Sequence, residues 1–203
     1  MPTVSKSYLL AKRAFDLLVC LASMPVVLPL FLLCALAVRI DSPGPILFSQ
    51  LRTGQHGTRF RMFKFRTMVQ DAEELKATFA HLNVLPFPDF KIPDDPRITR
   101  VGKFLRKTSL DELPQVINLL KGEMSLVGPR PTSFAPSTYD LWHTERLEVA
   151  PGITGLWQVK GRNAMTFDER LRLDIHYIEN MSFRLDLKII WWTVSSVLKG
   201  SGA

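Results

Sequence analysis

The sequence predicts an α+β fold, mostly helical. A re-entrant N-terminal membrane helix (residues 1–41) packs with a small domain (42–203) of short strands and interfacial amphipathic helices. Three observations carry this expectation. No charged residue occurs from Leu17 to Val38, a run of roughly 33 Å if helical and long enough to cross a hydrocarbon core. Basic residues flank that run on both sides. Beyond it the chain is polar and alternates short strand-like and helix-like patterns.

Three readings compete for the apolar run. A signal peptide has Ala35-Leu-Ala37 as a superficial cleavage site, but the apolar core is longer than about 15 residues and Arg39 follows directly. A plain spanning helix is the simplest alternative. Pro25 and Pro29 interrupt its middle, each removing a backbone bond, and Ser23 can recapture a freed carbonyl. A spanning helix places its basic residues mainly on one side. Here Lys6, Lys12 and Arg13 precede the run and Arg39, Arg52, Arg59 and Arg61 follow it. The pattern favours a helix that enters the membrane, breaks near Ser23-Met24-Pro25 and leaves by the same face.

Asp41-Ser-Pro-Gly-Pro45 ends the anchor with turn residues. Ile46–Arg52 and Arg59–Thr67 read as strands around Gly54-Gln-His-Gly57. The second mixes aromatic and basic residues, either as an exposed strand or as a phosphate-facing edge carrying Lys64 and Arg66. Val69–Leu82 reads as a charged surface helix and 83–98 as Pro-rich and irregular. Thr99–Arg106 reads as a short basic helix, and Asp111–Lys121 as an apolar one. Tyr139–Val149 is helical in pattern. Pro151–Asn163 is a glycine-punctuated strand and loop, and Phe167–Asn180 and Leu185–Leu198 are closing helices. Trp191-Trp192 suits either a lipid headgroup layer or a core.

The net charge of +7 and pI near 9.6 suggest an anionic partner: nucleic acid, membrane or phosphorylated substrate. No nucleic-acid-reading motif is present, so membrane lipid is favoured over nucleic acid. Cys20 and Cys34, both in the apolar run, read as small apolar fillers in a reducing, cytoplasmic setting. No Cys or His spacing suits zinc.

The most informative stretch is Asp111-Glu112-Leu-Pro114, set behind Lys103-Phe-Leu-Arg106-Lys107. Adjacent carboxylates near a helix N-terminus sit among unpaired N–H groups that also attract phosphate. Such a carboxylate can ligate a divalent cation or attack phosphorus. The bland alternative is a capping box from Ser109 to Glu112 ahead of the stripe Leu113, Val116, Ile117, Leu120. Arg130, stiffened between Pro129 and Pro131, is either a bidentate phosphate ligand or part of an ordinary turn.

Together with Lys64-Phe-Arg-Thr-Met68, Asp95-Pro-Arg-Ile-Thr-Arg100, Gly122-Glu-Met-Ser-Leu-Val-Gly-Pro-Arg130-Pro131, Pro151-Gly-Ile-Thr-Gly-Leu-Trp-Gln-Val159 and Gly161-Arg-Asn163, in this order, the chain strongly resembles the bacterial sugar transferases. These are small monotopic phosphoglycosyl transferases, and the resemblance runs from about residue 8 to 200. It implies an enzyme on the cytoplasmic face of the bacterial inner membrane that moves a sugar 1-phosphate from a UDP-sugar to polyprenol phosphate, commonly undecaprenyl phosphate. It makes Asp111 the nucleophile that expels UMP. Asp111 and Glu112 are the expected Mg²⁺ ligands, with Glu112 alternatively orienting Asp111. Arg106 and Arg130 are expected to hold phosphate oxygens, and Arg162 and Asn163 the nucleotide-sugar phosphates, with Lys64 and Arg66 as weaker candidates. Asp174 fits a family pattern, as it fits a structural salt bridge.

Two features depart from the family. Ala150 stands where a basic residue often precedes Pro151-Gly-Ile-Thr, and 83–93 is longer and more hydrophobic than in a minimal member. The chain resembles a catalytic core alone. Other readings are a metal-dependent diphosphate hydrolase and a basic membrane scaffold. The sugar and a possible homo-oligomer are not legible, although the compact size and Gly161-Arg-Asn-Ala164 lean towards an N-acetylated amino sugar.

Overall fold

The computed structural model describes residues 5–85, 90–138, 140–161 and 165–199. In chain order its regular elements are α1 (Lys6–Asp41), β1 (Leu47–Thr53), β2 (Arg59–Phe65), α2 (Arg100–Thr108) and α3 (Gln115–Lys121). There follow β3 (Ser125–Val127), β4 (Gly152–Thr154), α4 (Leu156–Lys160), α5 (Phe167–Glu179) and α6 (Phe183–Leu198). β1 and β2 form an antiparallel hairpin with Leu47 opposite Phe65 and Thr53 opposite Arg59. β3 and β4 are parallel, with Ser125 opposite Gly152 and Val127 opposite Thr154. The expected mixture of helices and short strands is present.

α1 is one continuous helix of 36 residues that contains both prolines. The break expected near Ser23-Met24-Pro25 is therefore not an interruption of the helix. Ser23 donates its hydroxyl to the Cys20 carbonyl at 2.8 Å, an i−3 back-bond one residue before the Leu21 carbonyl that Pro25 leaves without its helical donor.

Both ends of α1 rest on the same domain. Lys12, Asp16 and Cys20 are buried near its start, and Cys34 and Val38 near its end. Between them Leu21, Val26, Leu28, Leu32 and Leu33 stay exposed. The first footing is polar. Lys12 Nζ lies 2.7 Å from Asp186 on α6, which also accepts from the hydroxyls of Tyr8 at 2.9 Å and Tyr177 at 2.6 Å. Ser125 donates to Asp16 at 2.6 Å, and Arg13 donates to the Leu119 and Leu120 carbonyls that end α3. Buried charges persist only when paired in this way. The second footing is apolar, with Cys34 and Val38 clustered with Phe65 and Leu105 and the rings of Phe31 and Phe65 4.9 Å apart. Both cysteines are free and buried, as fillers should be.

A separate cluster of Val127, Val149, Leu156, Tyr177, Ile178 and Ile189 joins the parallel strands to α4, α5 and α6. On the outer side of α6, Trp191, Leu187 and Val194 are exposed. Trp192, by contrast, packs on the core cluster, so of the adjacent tryptophans one takes the core role and the other faces outward.

Three local expectations fail for identifiable reasons. Residues 69–82 form turns with single 3-10 turns at Glu74–Lys76 and Ala80–Leu82. Only Ala72 is buried there, and without a packed stripe nothing offsets helix nucleation. Leu141–Leu147 is 3-10 rather than α, started by an Asp140–His143 capping box. After Gly155 the chain turns into α4 instead of extending the strand, which carries Leu156 and Val159 into the core at helical spacing.

α2 lies against the end of β2 because Gly102 leaves no side chain in the way. A Cβ there would meet the Thr67 carbonyl oxygen at 2.2 Å. Gly102→Ala is expected to lower stability by about 1–3 kcal/mol although alanine favours helix. A thermal melt in detergent reads this, and an unchanged Tm would contradict so close an approach.

Candidate active site

The carboxylate pair is placed by a sharp turn. Thr99 caps α2, accepting from Gly102 N–H at 3.0 Å, and α2 buries Leu105. The helix ends at Ser109, whose φ of 58° and ψ of 15° are left-handed, a conformation uncommon outside glycine. Leu110–Glu112 then makes a single 3-10 turn, and Pro114 occupies the N-cap position of α3. Asp111 therefore lies one turn before the helix, not at its N-cap.

No capping box forms at Ser109, which makes no side-chain cap bond. Glu112 faces the other way. Its Oε1 accepts from Lys64 Nζ at 2.6 Å and from Arg130 Nη2 at 2.5 Å, and its Oε2 lies 3.4 Å from Arg130 Nη1. Asp111 is 8% exposed, and its bond is a long one to Lys64, 3.5 Å from Oδ2.

These neighbours push the two carboxylates apart. Burial raises the Asp111 carboxyl, the Glu112 charge adds to it, and Lys64 and Arg106 pull against it. Burial also opposes the Glu112 charge, but Arg130 and Lys64 outweigh it and hold that group well below the usual carboxylate range.

The surrounding cations have different tasks. Lys64 and Arg130 are bound to Glu112. Arg106 donates Nε to Thr67 Oγ1 at 2.8 Å, and among the described residues its terminal amino groups meet no partner. Arg66 does not join the cluster. It is buried and donates to the Ser42 carbonyl at 2.8 Å and to the Pro43 carbonyl, fixing the turn after α1. That turn needs Gly44, at φ +114°, where a Cβ would also strike the Arg66 guanidinium. Arg162 and Asn163 lie outside the described residues.

Arg130 is set by its backbone. The Pro129 carbonyl accepts from Gly152 N–H at 2.9 Å, and the Arg130 carbonyl accepts from Arg146 Nη2 at 2.5 Å. Arg146 also meets Asp174 at 2.6 Å, with both side chains almost fully buried. Burial raises the Asp174 carboxyl to about 6 against the pull of Arg146 and Arg170.

A distinct pocket of about 190 Å³ is lined by Lys12, Arg13, Asp16, Gln55 and Ala150 among others and shares no residue with this cluster. Ala150 thus lines this pocket, and its carbonyl lies against Gly128.

Comparison with known proteins agrees with the order of motifs. The profile of the family described as bacterial sugar transferase matches residues 7–200. The chain belongs to the bacterial sugar transferase family. It is 46% identical over 199 residues to the galactosyl transferase CpsE of Streptococcus agalactiae, covering 97% of this chain and 44% of that protein. To the exopolysaccharide production protein ExoY of Sinorhizobium fredii it is 39% identical, covering 96% and 88%. To the undecaprenyl-phosphate galactose phosphotransferase of Salmonella typhimurium it is 42% identical, covering 95% and 41%. It thus spans less than half of the first and third relatives and most of the second.

In this member of the family, Lys64 lies closer to the carboxylate pair than its sequence suggested. It shares strand parity with Phe60 and Met62, which are buried, and a lysine on an inward face needs a counter-charge. That signal was available. Arg146 and Thr67 were missed, because nothing local distinguishes a residue that acts by holding another.

Because Glu112 is held below its ordinary value, its charge adds stability above pH 4.5 that is lost as pH falls through the folded value. Glu112→Gln is expected to lower stability at neutral pH by roughly 1–3 kcal/mol, with the gap to wild type narrowing below pH 4.5. Denaturation as a function of pH checks this; a gap that stays constant into acid contradicts it.

Proposed function

We propose that the chain moves a sugar 1-phosphate from a UDP-sugar to polyprenol phosphate, undecaprenyl phosphate being the usual bacterial carrier. An Asp111 carboxylate oxygen attacks the sugar-proximal phosphorus, the bond to the UMP oxygen breaks, and UMP leaves with the electron pair. An oxygen of the lipid phosphate then attacks the same phosphorus and Asp111 departs as carboxylate. This gives a lipid diphosphosugar that starts exopolysaccharide or related glycan assembly.

The observation that carries the reading is the division of labour within Asp111-Glu112. Glu112 is neutralised by Lys64 and Arg130, whereas Asp111 has one weak contact and a raised carboxyl. An ionised but weakly held carboxylate is a better nucleophile than one bound by two cations. Arg106, with its terminal amino groups uncommitted, supplies charge for phosphate oxygens. The relative named as an undecaprenyl-phosphate galactose phosphotransferase supports the substrate class.

Magnesium fits this arrangement in a limited way. Among the described residues no group of three or more His, Cys, Asp or Glu could cage a metal. Mg²⁺ needs only one or two carboxylates when diphosphate and water complete its shell. Asp111 suits that role better than Glu112, whose oxygens are already taken. Bound there, the ion would neutralise charge on the diphosphate.

The footing of both ends of α1 on one domain supports a re-entrant anchor on the cytoplasmic face of the inner membrane. A helix that crossed the bilayer would carry its two ends to opposite sides. In this reading the two prolines let a continuous helix bend, and the exposed leucines and Trp191 meet lipid.

The test is UMP release from a panel of UDP-sugars by protein in nanodiscs, with undecaprenyl phosphate and Mg²⁺. Asp111→Asn is expected to lower turnover by roughly 10³-fold or more with membrane association unchanged, and the product is lipid-linked. Retained turnover contradicts the nucleophile, and free sugar 1-phosphate in place of a lipid product indicates hydrolysis.

A further inference from the structure

We propose that Asp174 and Arg146 are positioning residues that set the direction of the Arg130 side chain towards Glu112. This rests on the transferase reading only for its catalytic consequence. The geometry stands alone.

Arg130 sits between two prolines, so the peptide linking it to Pro131 has no N–H, and its carbonyl is the only polar handle by which that plane can be held. Arg146 Nη2 takes that handle at 2.5 Å and bonds Asp174 Oδ2 at 2.6 Å with the same nitrogen. The peptide plane on the other side is held through the Pro129 carbonyl by Gly152 N–H. With both planes fixed, the Cα–Cβ direction of Arg130 is fixed too. From there its guanidinium reaches Glu112, whose remaining partner, Lys64, also approaches Asp111.

The three contributors come from separate parts of the chain: α5 gives Asp174, the 3-10 stretch Leu141–Leu147 gives Arg146, and the segment after β3 gives Arg130. A buried ion pair is weak as a source of stability, and apolar residues of similar volume often serve packing as well. An ion pair that spends the same nitrogen on a carbonyl provides direction, which apolar packing lacks.

The experiment compares wild type, Asp174→Asn, Arg146→Met and Arg146→Gln by NMR of arginine guanidinium protons in detergent. Arg130→Met assigns the Arg130 signal, and Val149→Ala serves as a core variant that lowers Tm nearby. The expectation is a protected Arg130 signal in wild type and Val149→Ala, lost in Asp174→Asn and Arg146→Met. It returns in part in Arg146→Gln, which keeps an amide donor for the carbonyl. UMP release should fall about 10- to 100-fold in Arg146→Met, with no further loss on adding Arg146→Met to Arg130→Met. An Arg130 signal unchanged in both Asp174→Asn and Arg146→Met overturns the proposal, as do losses that multiply in the double variant. If Arg146→Met does not fold, Asp174→Asn and Arg146→Gln decide. If wild type releases no UMP, the transferase reading fails and the NMR comparison still decides the relay.

Discussion

The site depends on one carboxylate held by two cations. Lys64 and Arg130 come from opposite sides of the domain's sequence, one from the hairpin and one from the turn after β3, and Glu112 draws both to the same place. Three charged groups converge there with a net charge of one proton's worth, which is tolerable only because each is hydrogen-bonded. Asp111, next in the chain, inherits the surrounding positive potential without being consumed by it. The adjacency of two acids thus serves two ends: one organises the cations and the other remains available.

The long apolar helix and the carboxylate site are mechanically one unit. The α1 residue Arg13 ends α3 by taking its last carbonyls, and the other end of α1 packs on Phe65 and Leu105. Phe65 adjoins Lys64 on β2, and Leu105 adjoins Arg106 on α2. α1 therefore touches both elements that bracket the carboxylate pair. The position of the carboxylate pair relative to α1 is set by this packing rather than by a linker.

Much of the architecture was legible because it is written in local pattern. The uncharged run, the hairpin around Gly54–Gly57 and the closing helices have periodicity that needs no tertiary information. The family order of motifs pointed to Asp111, Glu112, Arg106 and Arg130 together, and the structure brings these four near one another. What escaped was relational. Ser109 with Glu112 has the spelling of a capping box, and only the positions of Lys64 and Arg130 show that the carboxylate faces elsewhere. Arg66 has the spelling of a phosphate ligand, yet the turn at Ser42-Pro43 claims it. Residues 69–82 have helical composition but no surface to bury, so they remain turns. Arg146 looks like an ordinary charge in a polar stretch, and its partners lie 16 and 28 residues away.

The measurement that bears most directly on the account is capture of the first half-reaction. Protein incubated with a UDP-sugar and Mg²⁺ but without lipid acceptor, quenched and digested, should yield the Asp111 peptide with the added mass of one phosphosugar, one equivalent per chain turned over. A modified peptide elsewhere, or UMP formed in step with no adduct at Asp111, would contradict it.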